Sequence, residues 1–186
     1  MTKPARLLVL ALGLLAVSVS PAPAAPAPAN PDVIYLMRLA RARLNDQRAY
    51  ARAVLLSATG TTANGLPTAF AGGINVWHFI FDNRATPKAT NPGATLDFTT
   101  GKFGKIAGLP SLGLGATDIR VLPTLTLARA LALIHKAGET GDFTEVDLRH
   151  VLGPGVTDPL YVFSFTDGTV TVDTKTGKVT LPPPTP

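Results

Sequence analysis

The chain has 186 residues, a length suited to one domain or two small ones, with 46% hydrophobic and 16% charged residues, 17 Gly, 17 Pro and no Cys. That apolar content excludes a disordered charged tail. The missing cysteine excludes a disulfide scaffold, a thiolate zinc site and a thiol nucleophile.

Lys3 and Arg6 precede an apolar run over 7–19, and small residues follow at Ala22 and Ala24. These are the three parts of a secretory signal peptide, so residues 1–24 are expected to be removed, with cleavage after Ala29 as the second choice. A retained anchor is the alternative, but the run falls short of the ~20 apolar residues that span a bilayer. Losing Lys3 and Arg6 lowers the formal charge from +5 to +3. Residues 25–108 keep nine Lys/Arg against four Asp/Glu, and 109–186 keep six against eight. This asymmetry is too mild for a nucleic-acid surface, which wants a basic stripe on a recognisable module.

Residues 25–30 and 182–186 are Pro-rich tails that favour extended polyproline II and build no core. Asn30-Pro31-Asp32 predicts a helix start with Asn30 as N-cap. Apolar residues at helical spacing (Val33, Leu36, Met37, Ala40, Leu44, Ala51, Val54, Leu55) then predict one long helix over 31–58. Arg38, Arg41, Arg48 and Arg52 fall together on its adjoining face, the candidate binding surface. A loop over 60–73 leads to an aromatic strand over 76–81, a hairpin loop over 83–94, a strand over 95–98, a turn over 99–102 and a third strand over 103–106.

Residues 107–123, rich in Gly and Pro, predict a linker. Thr124 or Thr126 caps a second helix that stops at Gly138. Thr144-Glu145-Val146-Asp147 resembles a capping box and predicts a short third helix to 152. Strands over 159–165, 169–173 and 179–181 follow, the first two joined by a tight turn at Asp167-Gly168.

A repeat organises this order. Leu96-Asp97-Phe98-Thr99-Thr100-Gly101-Lys102-Phe103 matches Val172-Asp173-Thr174-Lys175-Thr176-Gly177-Lys178-Val179 at an offset of 76. Upstream, Trp77, Phe79 and Phe81 match Tyr161, Phe163 and Phe165 at an offset of 84. The second copy resembles a PepSY domain, through the Ala128/Ala132 helix, the Tyr161-Val162-Phe163 strand and the Val-Asp…Thr-Gly ending at 172–179. The first copy is similar but degraded. The resemblance implies an α+β fold, a tandem duplication of a helix packed on an antiparallel β-meander, with units at 31–106 and 124–181. It also implies an exported binding module of a family proposed to restrain peptidases. A loop such as 60–73 or 83–94, or a free strand edge, would then occlude a peptidase cleft.

The shared motif reads as structural. Asp97 and Asp173 would accept hydrogen bonds from the turn that follows, and Gly101 and Gly177 would supply its positive φ. The aromatic triplets read as core. His78, His135 and His150 lack metal spacing, with His135 and His150 expected on helices. Ser57, Ser111 and Ser164 lie in no GxSxG elbow. Gly113-Leu114-Gly115 and Gly101-Lys102 lack the dinucleotide and Walker contexts. The expectation is therefore a protein without catalytic residues, cofactor or metal, whose partner is an exported peptidase. The alternative is an envelope protein that meets anionic lipid or polymer through Arg38, Arg41, Arg48 and Arg52. Whether the two units share one sheet is left open at this level.

Overall fold

The computed structural model describes residues 31–183 apart from 100, 114, 115, 154 and 155. The signal-peptide assignment and the Asn30 cap lie outside these residues. Among them no helix is long and apolar enough to cross a membrane. The described residues form an α+β fold, with two helices and one extended antiparallel sheet.

Helix α1 (Val33–Asn45) is capped by Asp32, whose Oδ1 accepts from the Ile34 amide at 2.9 Å. It is much shorter than the predicted 31–58. The run Asn45-Asp46-Gln47 is poor in helix formers, Asp46 closes the last turn, and residues 48–50 form one 3-10 turn. Val54 and Leu55 then open strand β1 (Val54–Thr61). Strands β2 (Val76–Asp82), β3 (Gly93–Thr99) and β4 (Lys102–Phe103) complete an antiparallel meander. The predicted strand over 103–106 is thus only a stub at its start.

The 107–123 segment is more than a linker. Strand β5 (Ala107–Leu109) pairs with β3, β6 (Ala116–Thr117) pairs with a strand β7 over Phe143–Val151, and buried Ile119 bridges to Leu55. Helix α2 (Leu127–Lys136) follows, with the Thr126 hydroxyl accepting from the Arg129 amide at 3.2 Å. The predicted third helix does not form. Residues Phe143–Val151 are strand β7, which burial of Phe143, Val146 and Leu148 holds against the core. His150 therefore lies on a strand, whereas His135 lies on α2 and is exposed. Strands β8 (Leu160–Phe165), β9 (Gly168–Asp173) and β10 (Val179–Thr180) form a second meander.

The strands run β10-β9-β8-β7-β1-β2-β3-β4, so segments 31–106 and 124–181 meet in one sheet through the antiparallel β1–β7 pair. Both helices bury their apolar stripes in a single core with alternate residues of these strands, including Trp77, Phe79, Phe81, Tyr161, Phe163 and Phe165. Bulges occupy matching places in the two segments. In β1 the register shifts between Leu55 and Ser57, opposite Phe81 and Ile80. In β7 it shifts between Phe143 and Glu145, opposite Phe165 and Ser164.

Candidate functional site

Asp32 joins the two segments. Its second carboxylate oxygen accepts from the Leu127 amide at 3.1 Å, so one side chain caps α1 and α2 together. Free amides and the positive end of the macrodipole at each helix start favour a carboxylate there. Beside it, the Tyr161 hydroxyl donates to the Leu125 carbonyl at 2.9 Å. Burial, with the Asp32 charge adding to it, pushes the Tyr161 phenol far above its ordinary range, so it stays a donor. Sequence reasoning placed Asp32 only in the first turn of a helix, because its reach to Leu127 crosses 95 positions.

The 62–75 loop between β1 and β2 is cross-braced. Thr68 exchanges two backbone hydrogen bonds with Phe143, at 2.9 and 3.0 Å. The Thr62 hydroxyl donates to the Leu66 carbonyl, Asn64 Oδ1 accepts from the Leu66 amide, and Asn75 Oδ1 accepts from the Ala63 amide. This frame holds Leu66 and Phe70 at 61% and 64% exposure. Both residues border a shallow groove of about 500 Å³.

The four predicted arginines do not share one helix face. Arg38 and Arg41 lie on α1, Arg48 starts the 3-10 turn and Arg52 follows it. Arg43, which the reading of that face passed over, joins them on α1. Arg41 donates from Nη1 to the Arg120 carbonyl at 3.5 Å, and among the described residues none of the five pairs with a carboxylate.

The two motif aspartates occupy different places. Asp173 Oδ1 accepts from the Lys175 and Thr176 amides at 2.9 and 2.7 Å, and Gly177 takes φ +71°. Burial raises the Asp173 carboxyl, but these backbone amides outweigh it and hold the group below its usual value. Asp97 lies two residues short of the end of β3, and its carboxylate meets His78 Nδ1 across the β2–β3 pair. The register explains the difference. Trp77 pairs with Phe98 while Tyr161 pairs with Val172, so Thr99, not Asp97, stands where Asp173 stands. The β3–β4 turn is two residues shorter, closing Thr99 on Lys102, with Gly101 at φ +81°.

On the sheet face opposite the helices, Asp97, His78, Thr59 and Asp147 form a cross-strand row. The Thr59 hydroxyl donates to Asp147 Oδ1 at 3.2 Å, and Arg149 Nε lies 3.2 Å from its other oxygen. Burial raises the Asp147 carboxyl, opposed by Arg149 and by the Thr59 hydrogen bond. Within this row the Thr59 hydroxyl is committed to Asp147 and the His78 ring to Asp97. Among the described residues no cluster of three or more His, Asp or Glu could hold a metal ion. Compared with protein-family models, curated proteins and solved structures, the chain matches none.

Proposed function

We propose that the protein is an exported, non-catalytic binding module of two PepSY-like units that restrains a peptidase in trans through its 62–75 loop. The observation that carries this reading is the braced loop with Leu66 and Phe70 turned outward. A loop already fixed by hydrogen bonds loses little conformational entropy on binding, and two large apolar side chains supply anchors for apolar subsites. The loop is favoured over strand pairing at the outer edges of the sheet. Those edges are short strands, β4 and β5 along β3 and β10 along β9, of two or three residues each, with Lys105 between β4 and β5 and Pro182-Pro183 beyond β10, features that discourage edge association.

Duplication is supported by the matching bulges and by the shared order of helix and four-strand meander. Export rests on the composition of residues 1–24. The test is capture of exported peptidases on the tagged chain lacking residues 1–24, followed by an inhibition assay on each captured enzyme. Leu66→Ser/Phe70→Ser alters only exposed side chains and is expected to weaken inhibition at least about tenfold with stability nearly unchanged. Inhibition equal to that of the parent chain, or no inhibition of any exported peptidase, would remove the reading.

A further inference from the structure

We infer that the outward face of α1, with the turn after it, docks on an anionic phospholipid surface. The core takes Val33, Ile34, Leu36, Met37, Ala40 and Leu44. By helical geometry this leaves Tyr35, Leu39 and Ala42 as the outward row, with Arg38 and Arg43 on either side of it. Tyr35 and Leu39 are 53% and 39% exposed. Helix α1 contains no acid, and from Arg38 to Arg52 five arginines stand against the single acid Asp46.

Of the four arginines elsewhere among the described residues, three are neutralised within the fold: Arg84 pairs with Asp82, Arg120 with Asp118 and Arg149 with Asp147, leaving Arg129 single on α2. The five guanidiniums at 38–52 have no such partner among the described residues, so their charge is left for something outside the chain.

The side chains between the charges select a bilayer. A tyrosine ring settles at the level of lipid headgroups, Leu39 enters the acyl boundary, and arginine stems lie along apolar surface with their heads on phosphate. A soluble polyanion would use the arginines and ignore Tyr35 and Leu39. The area offered is small, so binding should be reversible, dominated by charge and sensitive to salt. The inference stands apart from peptidase restraint, since it uses none of the 62–75 loop.

The test is vesicle flotation of the purified chain lacking residues 1–24. It compares phosphatidylcholine vesicles with mixed phosphatidylglycerol–phosphatidylcholine vesicles, and includes soluble polyphosphate as competitor. Binding is expected on the mixed vesicles only, falling as salt rises. Arg38→Gln/Arg43→Gln should weaken it about 25-fold, each arginine near the surface contributing about fivefold. Tyr35→Ser/Leu39→Ser should weaken it about tenfold. If the arginine variant melts below the parent, Arg48→Gln/Arg52→Gln, outside the helix, replaces it with the same expected loss; if the Tyr35→Ser/Leu39→Ser variant does, Leu39→Gln replaces it, with a smaller loss in the same direction. No binding, equal binding to both vesicle types, or indifference to the arginine changes overturns the inference. So does arginine dependence with no effect of Tyr35→Ser/Leu39→Ser, which would assign the face to a soluble polyanion or an acidic protein.

Discussion

Asp32 offers a sharp test of how the two segments are tied. Its Oδ1 serves the Ile34 amide at 2.9 Å and its Oδ2 the Leu127 amide at 3.1 Å. Each contact is a charge-assisted bond at a helix start, where loss of an N-cap costs about 1 kcal/mol and the macrodipole adds a few tenths. Asp32→Ala removes both and should destabilise by about 2–3 kcal/mol. For a chain of this size that lowers the melting temperature by about 5–10 °C. Asp32→Asn keeps one carbonyl oxygen and so one cap, and should cost about half as much. The assay is thermal unfolding followed by circular dichroism, with Thr126→Ala as the control that removes one cap from α2 alone. Asp32→Ala melting within about 1 °C of the parent would refute the double cap. Equal losses for Asp32→Asn and Asp32→Ala would show that charge, not two separate acceptors, carries the effect.

Gly60→Ala should destabilise by about 1–3 kcal/mol in chemical unfolding, because the added carbon would lie 2.6 Å from Ile74 Cγ2 and 2.7 Å from the Trp77 ring. Tyr161→Phe leaves the Leu125 carbonyl without its donor and should cost about 1–2 kcal/mol by the same measurement. Asp147 and Asp173 should act on pH dependence in opposite senses. The native state holds the Asp147 proton more tightly than the unfolded chain does. Its contribution is therefore greatest below the ordinary carboxylate value and is lost as pH rises through the raised native one. Asp173 contributes above the ordinary value and is lost as pH falls through the lowered one. Asp147→Asn should remove the decline and Asp173→Asn the rise when unfolding free energy is followed across acidic pH. Slopes left unchanged would contradict the assigned causes.

The aromatic strands, the α2 boundaries and the helix-then-meander order were legible in the residues; the tight turn lies one residue earlier than Asp167-Gly168, at Thr166-Asp167 between paired Phe165 and Gly168. The element lost in both segments was the same one, the strand that follows each helix. In the first segment Val54 and Leu55 continue the helical spacing of the apolar residues before them, and in the second Thr144-Glu145-Val146-Asp147 imitates a capping box, so each strand reads locally as helix. Each strand also carries a bulge, at Leu56 or Thr144, that breaks the strict alternation by which a strand is recognised. What separates strand from helix here is pairing with β2 or β8 on one side and between β1 and β7 on the other. These are long-range contacts that no local window contains.

The same distinction between identity and register decides the candidate site. Asp97 and Asp173 match in sequence, yet a turn two residues shorter moves Asp97 off the turn and onto the open sheet face beside His78. Arg38 and Arg52 were grouped by helical phase, but helix α1 ends at Asn45, so the pattern joined residues that belong to a helix and a turn. The group survives for another reason, its lack of carboxylate partners among the described residues, several aspartates being committed elsewhere. Asp32 is held by two helix starts, Asp82 by Arg84, Asp147 by Thr59 and Arg149, and Asp173 by its own turn. With these carboxylates engaged elsewhere, the five arginines over 38–52, set against Asp46 alone in that stretch, have no ion-pair partner among the described residues, and charge left so is available to a partner.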